Sequence, residues 1–62
     1  MGEKIANLRR AKKLSQSELA RRSGLSRTMV YLLESGRRQQ TTLGTLKKIA
    51  AVLEVDMAEL IG

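Results

Sequence analysis

The sequence contains no cysteine, histidine, proline, phenylalanine or tryptophan, and it has a single tyrosine. Without cysteine and histidine, disulfides and the usual structural zinc sites are excluded. The same absence leaves no convincing general-base constellation or metal cluster, and the six acidic residues have helix-capping or surface explanations. We therefore expect neither an enzyme nor a cofactor.

Basic residues are in excess and unevenly spread. The net charge is +6, with all twelve lysines and arginines in residues 1–48, whereas residues 49–62 hold three acidic residues and no basic one. A basic surface predicts a polyanionic partner, most commonly nucleic acid, although a membrane surface also fits the charge. No apolar run approaches the ~20 residues that span a bilayer, and the N-terminus lacks the apolar stretch of a signal peptide. We expect a cytoplasmic protein.

Capping and apolar residues predict five helices in one domain, residues 1–62. The lack of proline and the scarcity of β-branched residues favour helix over strand, and the first helix is expected from about Glu3 to Lys12. Capping residues mark the other four helix starts: Ser15 with Glu18, Ser26, Thr42, and Asp56 with Glu59. The predicted core consists of apolar residues at helical spacing: Ile5, Leu8, Leu19, Ala20, Val30, Leu33, Leu43, Leu46, Ile49, Ala50, Leu53, Leu60 and Ile61. The fold class is all-α.

Four positions together indicate a helix-turn-helix between the second and third helices, about residues 16–35. Ala20 is small enough for two helices to cross closely, and Gly24 tolerates the left-handed backbone of a tight turn. Val30 and Leu33 hold the following helix against the core. This spacing is typical of the helix-turn-helix motif.

The residues that carry this motif resemble the lambda repressor and Cro type of helix-turn-helix domain, the XRE-like family. The resemblance rests on "LSQSELA" (14–20), the Gly24 turn, "SRTMVYLLESG" (26–36) and "LKKIAAVLEVDMAELI" (46–61). It implies a compact five-helix fold whose third helix enters the major groove of DNA, usually as a symmetric dimer. The family often has glycine or a small polar residue where this chain has Lys13 and Glu54.

The outward side of the third helix supplies the candidate base contacts. With Val30 and Leu33 inward, the outward residues near its N-terminal half are Arg27, Thr28, Tyr31 and Leu32. Arginine can bridge guanine O6 and N7, threonine can bond a base, and Tyr31 and Leu32 can pack on thymine methyls. The alternative is ordinary surface exposure, or, for Leu32, cover for the core edge or a dimer contact.

Candidate phosphate contacts surround that helix. By resemblance, Gln16 at the start of the second helix grips the DNA backbone, where helix N–H groups also favour anions. The remaining candidates are polar or basic: Ser26, Arg10, Arg37, Arg38, Gln39 and Gln40. The alternative is a solvated basic face, which is the reading we favour for Arg21 and Arg22.

Two further roles come from the resemblance. It implies a structural ion pair between Arg9 and Glu34, which would orient the third helix. It also implies a dimer contact at the C-terminal end, where Val55 and Met57 are available. The alternative for these two is core capping within a monomer.

The sequence therefore predicts a sequence-specific, double-stranded DNA-binding transcriptional regulator, associated with the nucleoid, that represses by operator occupancy, with activation as the open alternative. Its expected partner is a palindromic operator bound by a homodimer, with no membrane and no small-molecule ligand. The alternative is a protein-interaction module, such as an antitoxin or adaptor on the same fold, with Tyr31 and Leu32 as the contact. Binding of single-stranded RNA by stacking is disfavoured, since one tyrosine makes no aromatic platform.

Overall fold

The computed structural model describes residues 1–38 and 40–61, and all its regular structure is helical. The five helices are α1 Gly2–Ala11, α2 Gln16–Ser23, α3 Arg27–Glu34, α4 Leu43–Leu53 and α5 Met57–Ile61. The predicted fold class and helix order are confirmed. None of these helices has the length and apolar character needed to cross a bilayer.

Side-chain caps begin three of the helices where the sequence places them. At α2 the Glu18 N–H donates to the Ser15 hydroxyl at 3.0 Å, and the Ser15 N–H donates to the Glu18 carboxylate at 2.9 Å. The bond from the Ser15 backbone N–H to the carboxylate, and after it the hydrogen bond of the Ser15 side chain, lower the pKa of Glu18. A lowered pKa stabilises the fold above the unfolded-state value, and that stability is lost as pH falls through the folded-state value. Ser26 and Thr42 cap α3 and α4 with their hydroxyl oxygens, which accept the backbone N–H of Met29 and of Thr45.

The start of α5 differs from the prediction. The Glu59 N–H donates to the main-chain carbonyl oxygen of Asp56 at 3.0 Å, and no side-chain capping box joins these two residues in the described part of the chain. A single helical turn can satisfy its first donors through the backbone alone. The capping residues therefore predicted the position of α5 correctly but predicted the wrong first hydrogen bonds.

One hydrophobic cluster joins all five helices. Its most buried side chains, each less than 2% exposed, are Ile5, Leu19, Val30, Leu33, Ile49, Leu53 and Leu60. Two predicted core residues are wrong, because Leu43 is 66% and Ile61 is 57% exposed. Leu60 is fully buried, whereas Ile61 points about 100° away from it around the helix axis. Leu43 lies in the first turn of α4, where the described residues leave most of its side chain exposed.

The start of α1 makes a close backbone approach to the end of α3. A Cβ atom added at Gly2 would collide with the Leu33 carbonyl oxygen and lie 2.9 Å from that of Glu34. Because both obstacles are backbone atoms, they cannot yield as a flexible side chain does. The missing side chain at Gly2 therefore sets how closely α1 packs on α3.

We expect Gly2→Ala to lower the free energy of unfolding by about 1–3 kcal/mol, as overpacking does, in urea denaturation followed by circular dichroism. Gly44→Ala is the matched control, since its Cβ would meet only the Thr42 hydroxyl at 3.8 Å. It should be neutral or gain up to about 1 kcal/mol from helix propensity. Equal effects at both positions would contradict the close approach.

Among the residues that the structure describes, two that are not glycine hold a left-handed backbone after helices. Lys13 has φ 58° and Glu54 has φ 59°, a conformation that costs a non-glycine residue roughly 1 kcal/mol. These are the two positions at which the family often has glycine or a small polar residue.

Lys13→Gly and Glu54→Gly should each raise the free energy of unfolding by about 0.5–1 kcal/mol, because relief of strain exceeds the added chain entropy. Glu54→Gly also removes an ion pair with Lys12 of 3.1 Å, which contributes little at an exposed site. Gly24→Ala, at φ 72°, should change stability in the opposite direction. Destabilisation by Lys13→Gly would show that the strain is already compensated.

Candidate nucleic-acid interface

The frame of the interface is the tight turn between α2 and α3. Gly24 takes a left-handed backbone at φ 72°, and the Leu25 N–H donates to the Ala20 carbonyl oxygen at 2.8 Å. Ala20 is 3% exposed, while Val30 and Leu33 are each 1% exposed. The small residue, the turn and the buried anchors therefore occupy the places that the motif requires.

One side of α3 is left open by this packing. Arg27, Thr28 and Tyr31 are exposed, the tyrosine by 46%. The three line a shallow depression together with Gln16 of α2. The guanidinium of Arg27, the hydroxyl of Thr28 and the phenol of Tyr31 thus lie side by side on the outer surface of α3, next to the start of α2. This arrangement suits a ligand that offers both polar edges and apolar groups.

Leu32 lies one helical turn beyond Thr28 on α3. It is half-buried and lines a second depression with Arg37, Arg38 and Gln40. The Arg38 N–H donates to the Leu32 carbonyl oxygen at 3.1 Å, which folds the loop back against the end of α3. Leu32 therefore lies between the exposed residues of α3 and the basic loop.

The remaining candidate phosphate contacts lie on different elements and differ in their hydrogen bonds. The Ser26 hydroxyl accepts the Met29 N–H at 3.1 Å, so only its own hydrogen remains to donate. Arg10 is exposed on α1 but lines neither depression. The Arg38 side chain donates through Nε to the Gln40 carbonyl oxygen at 3.3 Å. Gln39 lies outside the described residues.

A largely buried ion pair lies behind the open face. The Arg9 Nε donates to one oxygen of the Glu34 carboxylate at 2.7 Å, and a terminal nitrogen donates to the other at 3.0 Å. The second terminal nitrogen donates to the Leu14 carbonyl oxygen at 2.7 Å. The side chains of Arg9 and Glu34 are 11% and 5% exposed. The bond to Glu34 raises the pKa of Arg9 despite the opposing effect of burial.

Sequence reasoning missed one member of this network. The Gln16 side-chain amide donates to the Glu34 carboxylate at 3.1 Å, so one residue belongs both to the open depression and to the ion pair. Gln16 and Glu34 are eighteen positions apart, and no local pattern links them. Only the crossing of α2 and α3 brings them together.

The two residues proposed for a dimer contact are partly used by the monomer. Val55 and Met57 are half-buried and pack against the hydrophobic cluster. At the same end of the chain, Ile61 is the large apolar residue with most of its surface exposed.

Comparison with known proteins identifies the family. A helix-turn-helix family model matches residues 5–60. The chain is 43% identical over 54 residues to the HTH-type transcriptional regulator RghRB of Bacillus subtilis, covering 87% of this chain and 39% of that protein. It is 43% identical over 61 residues to the HTH-type transcriptional regulator y4dJ of Sinorhizobium fredii, covering 98% of this chain and 78% of that one. This chain thus spans well under half of the first relative's length.

Similar solved structures support the same family assignment. The biofilm regulator SinR in complex with DNA matches with a TM-score of 0.96 at 30% identity, over 98% of this chain and 97% of that one. The restriction-modification controller protein C.AhdI from Aeromonas hydrophila matches with a TM-score of 0.90 at 41% identity, over 95% and 88% of the two chains. The resemblance seen in the sequence is confirmed: the chain belongs to the lambda-repressor-like, XRE-type helix-turn-helix family of DNA-binding transcriptional regulators.

Proposed function

We propose that this chain recognises a specific double-stranded DNA sequence by inserting α3 into the major groove. The observation that carries the proposal is the open face on which Arg27, Thr28 and Tyr31 lie together beside Gln16. SinR, whose structure was solved with DNA, has the same fold. In that frame the N-terminal half of α3 is the part that meets base edges.

Affinity and selectivity come from different residues in this proposal. Phosphate contacts supply most of the affinity, since they neutralise charge and release counterions. Their candidates remain the polar and basic side chains around α3: Gln16, Ser26, Arg10, Arg37, Arg38 and Gln40, with Gln39 between the last two. Arg27 reads guanine through O6 and N7, and Thr28, Tyr31 and Leu32 meet neighbouring bases.

The proposed assembly is a homodimer on a palindromic operator. Two copies related by a two-fold axis place their third helices about 34 Å apart, one turn of DNA. The partly exposed surfaces of Val55 and Met57 provide the contact. The proposed output is repression by occupancy of the operator, in the cytoplasm at the nucleoid.

Selection from a random pool of duplex DNA at near-physiological salt tests the proposal. We expect enrichment of a two-fold symmetric motif with half-sites about one helical turn apart. The Arg27→Ala/Thr28→Ala double variant is the matched control, and it should lose the motif while still retaining DNA. Retention by the parent protein without any motif would reduce it to a non-specific basic binder. No retention would favour a protein partner at Tyr31 and Leu32.

A further inference from the structure

The Glu34 carboxylate is the point at which three helices meet through side chains. It lies near the C-terminal end of α3 and accepts hydrogen bonds from Arg9 of α1 and Gln16 of α2. One of its oxygens accepts both the Arg9 terminal nitrogen at 3.0 Å and the Gln16 amide at 3.1 Å. Since Glu34 is almost fully buried, this bonding decides where both partner side chains can lie.

The carboxylate also decides which way the Gln16 amide points. An ionised carboxylate only accepts hydrogen bonds, so the NH₂ group of Gln16 must face it and the amide carbonyl must face away. One N–H is then used by Glu34 and the second remains free. Because Gln16 lines the depression beside Arg27 and Tyr31, its amide belongs to the surface that meets DNA.

We propose that Glu34 is a positioning residue for DNA binding, which fixes the Gln16 amide so that its free N–H meets a backbone phosphate. The inference rests on the proposed function and deepens it. Arg9 also contributes to phosphate binding, because its guanidinium neutralises the Glu34 carboxylate, which would otherwise repel the phosphate. The ion pair and the phosphate contact are thus coupled through one shared oxygen.

The change in DNA affinity expected for Glu34→Gln is opposite in direction to the change that net charge alone would cause. Glu34→Gln removes a negative charge from a DNA-binding face, so charge alone would tighten binding to DNA. The substituted amide can also donate to the Gln16 carbonyl, which allows the Gln16 amide to turn over. If Glu34 positions Gln16, the variant binds more weakly although it is more positively charged.

A double-mutant cycle measures the coupling in DNA affinity. Glu34→Gln should weaken binding about tenfold in the parent protein but less than about twofold in a Gln16→Ala background, as expected for side chains that act as a unit. Gln40→Ala provides the matched background: it also removes a glutamine from the basic surface, but among the described residues no hydrogen bond joins Gln40 to Glu34, so there the full effect of Glu34→Gln should persist. An equal loss in all three backgrounds, or tighter binding by Glu34→Gln, would overturn the proposal.

A measurement on the unmodified protein covers the case in which Glu34→Gln does not fold. In a ¹H–¹⁵N spectrum, the side-chain NH₂ pair that is missing from Gln16→Ala should show one hydrogen exchanging slowly with water and displaced from its usual shift. The Gln40 pair should show neither property. An ordinary Gln16 pair would overturn the proposal even if the parent protein binds DNA. Because this spectrum needs no DNA, it separates a failure of the positioning role from a failure of DNA binding itself.

Discussion

Replacing Arg9 with alanine is expected to lower the free energy of unfolding by about 3–5 kcal/mol, because it leaves a buried carboxylate without its counter-charge. The Leu14 carbonyl oxygen loses its donor in the same variant. A domain of 62 residues has only a few kcal/mol of stability to lose. Urea denaturation at neutral pH should find Arg9→Ala largely unfolded or close to its midpoint in water.

Two variants separate this effect from a general loss of charge. Lys12→Ala breaks the exposed ion pair with Glu54, in which the two side chains are 41% and 75% exposed, and should cost less than about 1 kcal/mol. An Arg9→Met/Glu34→Leu double variant should recover much of the lost stability, since it leaves no charge unpaired. A cost of less than about 1 kcal/mol for Arg9→Ala would contradict a structural role.

Replacing Arg27 with alanine is expected to weaken binding to the selected DNA sequence by about 10- to 100-fold, the value of a good arginine–guanine contact. The side chain is exposed at the first residue of α3, so its loss should leave the fold intact. Binding to an unrelated duplex should fall far less. Fluorescence anisotropy with both duplexes at one salt concentration measures the two losses together.

Arg37→Ala is the matched control for the Arg27 variant, because both substitutions remove one exposed arginine near α3. A phosphate contact carries no sequence information, so Arg37→Ala should weaken both duplexes in parallel. It should also reduce the slope of log K against log salt by about 1. If Arg27→Ala behaved in the same way, its role would be electrostatic and the assignment to a base would be wrong.

Much of the fold could be predicted because its signals are local. The Ser15–Glu18 capping box and the Gly24 turn each act within a few residues, and the structure shows both where the sequence places them. The errors in predicted burial fall where packing decides. Leu43 and Ile61 satisfy the helical spacing, but the packing of the described helices leaves most of each side chain exposed, and periodicity does not report whether a face has a partner.

The candidate site also contains residues that the sequence predicts and one contact that it does not. Arg27, Thr28 and Tyr31 follow from the inward position of Val30 and Leu33, since a helix with two buried anchors turns its other side outward. The bond from Gln16 to Glu34 could not be predicted, because it depends on the angle at which α2 crosses α3. The family resemblance supplied the pair of Arg9 and Glu34, and the structure adds the third member to it.

A ¹H–¹⁵N titration of the protein with the selected duplex locates the DNA-binding surface residue by residue. We predict that the largest shift changes fall on residues 26–32, at the start of α2, and on the loop around residues 37–40. We predict small changes on the outer side of α1, away from that face. Large changes confined to α1 and α5, with residues 26–32 unaffected, would contradict recognition by α3.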